Sequence, residues 1–257
     1  MSDWIEGIDI SKYQGAVDQA TWRALNDLGQ AVAIVGGWHG IDANPHCEGN
    51  LLRAKSAGMV TATYTALNSL NGFTAVQNAR DACGSAWDDV AFVAIDCEIN
   101  GITATTIRQA ITQCDDFGKQ SCIYTAYWWW HDHFGNSTEF THMPLWNAYY
   151  DGSPDVDFGR LPYGGWTKNQ VVMEQFTGSS QLAGITVDRN TILADWWVQE
   201  DEMTPEEKRR LAELEKKADD TAARQRVGGV FATIAGKALQ GEQASRQDKN
   251  EARWLLG

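Results

Sequence analysis

The sequence predicts an α/β barrel in which five βα units are followed by three further strands with little helix between them. Apolar runs of strand length alternate with helical patterns of about 10 to 15 residues over the first half of the chain, which is typical of parallel βαβ units. After residue 130 three more strand-like runs follow. The chain has 257 residues, enough for one barrel-sized domain and a tail. A doubly wound open sheet is the alternative, but no glycine-rich phosphate loop follows a predicted strand, which weakens its nucleotide-binding form.

Hydrophobic periodicity justifies each element in chain order. A short strand at 7–11 precedes a helix at 18–29, where Trp22, Leu25 and Leu28 share one face. A strand at 31–38 precedes a helix at 44–58 that a glycine closes, and a strand at 60–67 precedes a helix at 73–87. The buried strand at 91–98 precedes a helix at 103–118. The remaining predicted strands are 122–129, 144–150, 171–177 and 185–192.

The segment AFVAIDCE, residues 91–98, carries the most specific chemical pattern. Five apolar residues are followed by Asp96 and Glu98, and a strand period of two turns both carboxyl groups to the same side while Cys97 points to the other. The carboxyl end of a buried parallel strand is where an α/β barrel places its reactive groups. A lone D-x-E at a strand end is equally well explained as a pair of solvated acids, so the neighbouring strands decide between the two interpretations.

Polar and aromatic residues collect in or just beyond the second halves of the other predicted strands. The chain has 12 tryptophans, and aromatic faces beside carboxylates suit a carbohydrate, whose C–H face stacks on a ring while acids and amides bind its hydroxyls. Any single tryptophan is better explained by core packing, whereas the set together favours a glycan. The candidate residues are Asp9, Tyr64, Tyr124, Tyr127, Trp128, Trp146, Tyr149, Gln175 and Asp188.

Several motifs occurring in order resemble the glycoside hydrolase family 25 muramidases, the Chalaropsis-type lysozymes. They are GIDISKYQG, AIDCE, IYTAYW, LWNAYY, and EQFTGS followed by GITVDRN, over about residues 5–195. The resemblance implies a TIM-like (β/α)5β3 barrel that cleaves the β-1,4 bond between N-acetylmuramic acid and N-acetylglucosamine. It also implies that Glu98 is the general acid, that Asp96 is the carboxylate beside it, and that Asp9 and Asp188 complete the acidic cluster.

The stereochemical course stays open at this stage. Retention and inversion differ in the distance between the two carboxyl groups, and assistance by the substrate's 2-acetamido group is a third route. We favour substrate assistance, with Asp96 polarising the acetamide. A divalent metal held by the acids with His131 and His133 is the competing use of the cluster, but H-x-H on a predicted loop is more often a solvated pair. We therefore expect no metal and no cofactor.

Charge and composition limit the partners and the compartment. Residues 1–200 carry all of the net charge of −13, which argues against nucleic acid, because phosphates require a basic surface. No apolar run approaches a membrane span and the N-terminus lacks the pattern of a secretory signal, so we expect synthesis in a host cytoplasm and release by another protein. The five cysteines include no C-x-x-C pair and are expected to be mostly buried thiols.

The tail, residues 201–257, is expected to form a helical region separate from the catalytic barrel of residues 1–200. Thr204, Pro205 and Glu207 match a helix start. A narrow apolar stripe follows. Because only Phe231 and Trp254 are aromatic in this region and its basic and acidic residues are mixed, we favour packing onto the barrel or self-association into a homo-oligomer over wall targeting or membrane binding.

The predicted function is that of a bacteriophage endolysin acting on peptidoglycan. A lysozyme associated with a phage tail is the alternative in context. A catalytically silent peptidoglycan-binding module is the alternative in class, and it would be expected to lack one of the four acids.

Overall fold

The structure is a computed structural model that describes residues 4–68, 71–154, 159–194 and 196–197. Eight strands close into one barrel in the order β1 to β8. They are β1 (Trp4–Ile10), β2 (Gln30–His39), β3 (Val60–Ala66), β4 (Val90–Asp96), β5 (Gln120–Thr125), β6 (Leu145–Ala148), β7 (Val171–Leu182) and β8 (Ile185–Leu193). The predicted barrel of eight strands is confirmed. The predicted helical extension at 201–257 lies outside the described residues.

Five α-helices of the described part pack outside the barrel. They are α1 (Gln19–Asp27), α2 (Cys47–Ser56), α3 (Gly72–Cys83), α4 (Ala104–Asp116) and α5 (Tyr127–Phe134). Side-chain caps start three of them, because Asp18, Asn71 and Thr103 accept hydrogen bonds from backbone N–H groups in the first turn. No described helix is long and apolar enough to cross a membrane.

The last strand runs against the direction of the others. Strands β1 to β7 pair in parallel, whereas β8 is antiparallel to both β7 and β1. A tight turn at Ala183 and Gly184, both with positive φ, joins β7 to β8 directly. The first half of β8 therefore lies at the same end of the barrel as the carboxyl ends of the other strands. Asp188 was a candidate because of its place along a predicted strand. In β8 that criterion is reversed, because the residues nearest the site come from the first half of the strand.

The fifth βα unit differs from the sequence prediction. The strand predicted at 122–129 ends at Thr125, and α5 begins at Tyr127. Trp128, His131 and His133 consequently lie on a helix, and the prediction that the two histidines occupy a loop was wrong. The coat is incomplete after β6, where the described residues before β7 contain only a short 3-10 helix at Lys168–Gln170.

Alternation along the strands divides the core into two parts. Outward-facing residues such as Ile8, Val35, Val93 and Ile123 pack against the helices. Inward-facing residues fill the barrel, including Ile34, Phe92, Ala94, Cys122, Met173 and Ile192. Gly7 belongs to the inward row, where a Cβ would lie 2.7 Å from Ile192 Cδ1 and 2.8 Å from the Val32 carbonyl oxygen, so only glycine fits. All five cysteines are buried and free.

Candidate active site

A cavity of about 130 Å³ opens at the carboxyl end of the parallel strands. Its lining residues come from seven strands and continue the inward-facing rows that fill the barrel below. All of them are candidates from the sequence, and they are Asp9, Tyr64, Asp96, Tyr124, Trp146, Gln175 and Asp188. The structure therefore brings three of the four predicted acids and four of the six predicted binding residues to one place.

Asp96 and Glu98 are held by different means. Asp96 is the last residue of β4 and follows Phe92 and Ala94 on the inward face. Glu98 lies beyond the strand end, where its backbone N–H donates to Asp96 Oδ1 over 2.8 Å. Its own Oε1 accepts from the Ala126 N–H over 2.7 Å, at the start of α5. The two acids are thus adjacent and both are oriented by backbone groups.

Burial is the main reason that both acids hold their protons to higher pH than usual. It raises the pKa of Glu98 to about 7, the Asp96 charge adds to the shift, and the Ala126 N–H opposes it. Burial likewise raises the pKa of Asp96 to about 6, with a further contribution from Asp9, while the Glu98 N–H opposes the shift. Near neutral pH Glu98 can therefore donate a proton while Asp96 is mostly ionised, the division of labour that acid catalysis beside an anion requires.

Asp9 and Asp188 form a second pair of acids. They face each other in the register of the antiparallel β1 and β8. The Gln175 amide nitrogen donates to Asp9 Oδ2 over 2.8 Å and lies 3.5 Å from Asp188 Oδ2. Burial raises the pKa of both, and Asp9 raises that of Asp188 further. Three carboxyl groups, from β1, β4 and β8, thus line the barrel mouth, and Glu98 follows just beyond the end of β4.

Tyr150 and Asn190 also belong to the hydrogen-bond network of the site, although neither was a candidate from the sequence. The Tyr150 hydroxyl donates to Gln175 Oε1 over 2.8 Å, as does that of Tyr124. Asn190 is fully buried and its amide nitrogen donates to Asp9 Oδ2 over 2.8 Å. A period of two was the pattern that could have found both, because it leads from Trp146 to Tyr150 and from Asp188 to Asn190.

The candidate Tyr149 is not among the residues that line the cavity. It lies one residue out of the inward row, and a Cβ placed on Gly159 would lie 2.3 Å from its ring. The interaction predicted for Tyr149 with a ligand has no support from this placement. Its neighbour Tyr150 is 60% exposed and bonded to Gln175.

Trp128 lies on α5, is 55% exposed and is not among the residues that line the cavity. Its ring meets Trp129 edge to face, and Trp129 stacks on His133 with 3.8 Å between ring centroids. His133 Nε2 is 3.1 Å from Asn100 Oδ1, which joins α5 to the loop that carries Glu98. His133 is therefore engaged in packing and hydrogen bonding. The described residues contain no group of three or more His, Cys, Asp or Glu side chains arranged to hold a metal ion.

Comparison with known proteins gives one family. Residues 8–185 match glycosyl hydrolases family 25. A curated relative, "Probable GH family 25 lysozyme 3" of Dictyostelium discoideum, is 29% identical over 196 residues, which are 72% of this chain and 40% of that protein. The chain thus spans less than half the length of this relative.

Solved structures agree in fold. The bacterial lysozyme from Streptomyces coelicolor superposes with a TM-score of 0.60 at 19% identity, covering 73% of this chain and 91% of that one. The CTP1L endolysin superposes with a TM-score of 0.58 at 20% identity, covering 82% of this chain and 78% of that one. Because the family match covers residues 8–185, more than half of the chain, the chain belongs to glycosyl hydrolases family 25.

Proposed function

We propose that the protein is a peptidoglycan hydrolase that cleaves the β-1,4 bond between N-acetylmuramic acid and N-acetylglucosamine. The observation that carries the proposal is the Glu98 carboxyl group, which is partly buried next to Asp96, is held by the Ala126 N–H and has its pKa raised to about 7. Glycoside cleavage needs an acid that still holds a proton at working pH and an anion near the oxocarbenium-like centre. The family membership and the lysozyme names of the relatives support the same substrate.

In the proposed mechanism Glu98 protonates the glycosidic oxygen as the bond to the leaving sugar breaks. The Ala126 N–H fixes one oxygen of Glu98, so the protonated oxygen is the other one and faces the substrate. Asp96 polarises the 2-acetamido group of the muramic acid, whose carbonyl oxygen attacks the anomeric carbon. Water then opens this cyclic intermediate with Glu98 as the base, so the sugar configuration is retained.

The aromatic residues of the mouth provide the sugar contacts. Trp128, on the helix α5 that follows β5, and Tyr150, in the segment that follows β6, are both exposed. Aromatic faces at such positions stack on the C–H faces of pyranose rings. Among the seven lining residues none is Lys or Arg, which suits a substrate recognised by hydroxyl and acetamido groups.

The test compares the intact protein with Glu98→Gln on purified cell walls, and the new reducing ends are identified. The intact protein should clear the walls and produce muramic acid reducing ends, and Glu98→Gln should lower the rate by about 100- to 10,000-fold, the usual contribution of a general acid. Glu139→Gln is the matched control, because Glu139 is an exposed acid that pairs with Arg108 and does not line the cavity. Clearing by Glu98→Gln at the original rate would show that another acid acts.

Two further arms separate the mechanism and the class. Cleavage of a substrate without the N-acetyl group at an undiminished rate would refute substrate assistance. Binding of walls without any clearing would indicate the silent binding module.

As biological context we propose an endolysin made in the host cytoplasm and released to the wall, for which the structural likeness to an endolysin is the support. A tail-associated lysozyme would instead be recovered with purified virions.

A further inference from the structure

The two acids Asp9 and Asp188 receive unequal numbers of hydrogen bonds. Asp9 Oδ2 accepts from the amide nitrogens of Asn190 and Gln175, each at 2.8 Å. Asp188 Oδ2 has the Gln175 nitrogen at 3.5 Å, a marginal distance. Hydrogen bonds from N–H groups stabilise the ionised form of a carboxyl group. The geometry therefore favours the negative charge on Asp9.

The orientation of both amides is determined by groups behind them. Trp146 Nε1 donates to Asn190 Oδ1 over 2.9 Å, and this indole N–H has no acceptor function. Tyr124 and Tyr150 both direct their hydroxyls at Gln175 Oε1. With their oxygens occupied in this way, Asn190 and Gln175 can present only N–H groups to Asp9.

No described cation offsets the charge of the pair. The titratable groups that face it are Tyr64 on β3, Asp96 on β4 with Glu98 beyond it, Tyr124 on β5 and Tyr150 beyond β6. Each is neutral or negative near pH 7. His39, whose ring contacts Tyr64, has its pKa lowered by burial and by Lys12, so it is neutral there as well. Two ionised carboxylates so close in a cation-free cavity would repel strongly, so the pair retains one proton.

We propose that this proton resides on Asp188 and that the neutral Asp188 carboxyl donates a hydrogen bond to an oxygen of the sugar in the cavity, while Asn190 and Gln175 are positioning residues that hold Asp9 as an anion. Asp188 is the more exposed of the two acids and can reach a ligand, whereas Asp9 is 7% exposed. Burial and the Asp9 charge raise the pKa of Asp188 to about 8, in agreement with this assignment. The identity of the sugar rests on the proposed function.

The activity test contrasts amide substitutions at the two positions. Asparagine supplies an N–H donor and cannot ionise, so Asp188→Asn should lower kcat/KM by about tenfold, much less than Asp9→Asn, and should remove any alkaline loss due to this group. Asp9→Asn turns an anion that accepts two N–H groups into a neutral amide and should lower kcat/KM by about 100-fold or more. A loss in Asp188→Asn as large as that in Asp9→Asn would overturn the proposal.

A second measurement locates the proton without using activity. Carbon-13 NMR of carboxyl-labelled aspartate, assigned with the two asparagine variants, follows each titration in the intact chain. Asp9 should ionise at lower pH than Asp188. Asn190→Leu should raise the pKa of Asp9 and so reduce the difference between the pKa values of the two acids. Ionisation of Asp188 before Asp9 would refute the assignment. An intact protein that cleaves no peptidoglycan but titrates as expected would disprove the proposed substrate while keeping the assignment of the proton.

Discussion

Replacing Asp188 by asparagine should stabilise the protein at alkaline pH and not at acidic pH. The pKa of this carboxyl rises from the ordinary 3.8 to about 8 in the folded state, because of burial and the Asp9 charge. A group whose pKa is raised by folding stabilises the folded state below its unfolded pKa, and this contribution is lost as pH rises through the folded value. The window of the effect is therefore between about pH 4 and pH 8. Asparagine cannot ionise, so Asp188→Asn removes the free-energy cost of a charged carboxylate at this position in the folded state.

The size of the effect follows from the shift. About four pKa units at ~1.4 kcal/mol each set an upper limit near 6 kcal/mol. Water that enters the open mouth of the cavity reduces this to about 3 kcal/mol, or roughly 6–12 °C in Tm for a domain of this size.

Thermal and urea unfolding at pH 4 and pH 9 measure this difference. Asp188→Asn should match the original protein at pH 4 and unfold at the higher temperature at pH 9. Asp151→Asn is the control, because Asp151 is exposed and accepts from the Ser153 N–H, a bond that asparagine can also accept. Equal Tm values for Asp188→Asn and the original protein at pH 9 would show that Asp188 is not held in an environment that penalises its charge.

Three further predictions concern activity. The alkaline limb of kcat/KM should report an apparent pKa of about 7, since burial and Asp96 raise that of Glu98, and a rate still rising at pH 9 would contradict this. Tyr150→Phe should raise KM about three- to tenfold, because it removes a hydrogen-bond donor to the buried Gln175 amide, whereas Tyr149→Phe should change KM less than twofold. A larger effect of Tyr149→Phe would show that Tyr149, and not Tyr150, faces the site. Gly36→Ala should lower activity at least tenfold and reduce the free energy of unfolding by about 1–3 kcal/mol, because the added Cβ would lie 2.4 Å from Tyr64 Cζ. Unchanged activity and unchanged urea unfolding would refute that contact.

Gly49→Ala provides a control for the last of these changes. Gly49 lies inside α2, and the atoms nearest to an added Cβ would be those of the Arg53 guanidinium group, at 3.1 Å, which can shift by a few tenths of an ångström more easily than backbone can. Alanine is a better helix former than glycine, so this variant should be neutral or up to about 1 kcal/mol more stable, with unchanged activity.

Much of the site could be predicted because it follows strand periodicity. Seven inward-facing candidates came from the ends of apolar runs, and these seven line the cavity. The same rule applied one step further would have replaced Tyr149 by Tyr150. Strand periodicity failed at α5, because four aromatic residues in a row, YWWW, show no periodicity and are compatible with a strand or a helix.

The sequence by itself determined the number and order of the strands, the inward rows and the acids at their ends, since these depend on local alternation of apolar and polar residues. Only the tertiary structure decided how the acids differ. The antiparallel direction of β8 brings Asp188 opposite Asp9, and Asn190 and Gln175 then donate to one acid far better than to the other. Protonation depends on burial and on hydrogen bonds between residues as many as 181 positions apart, which no local pattern records.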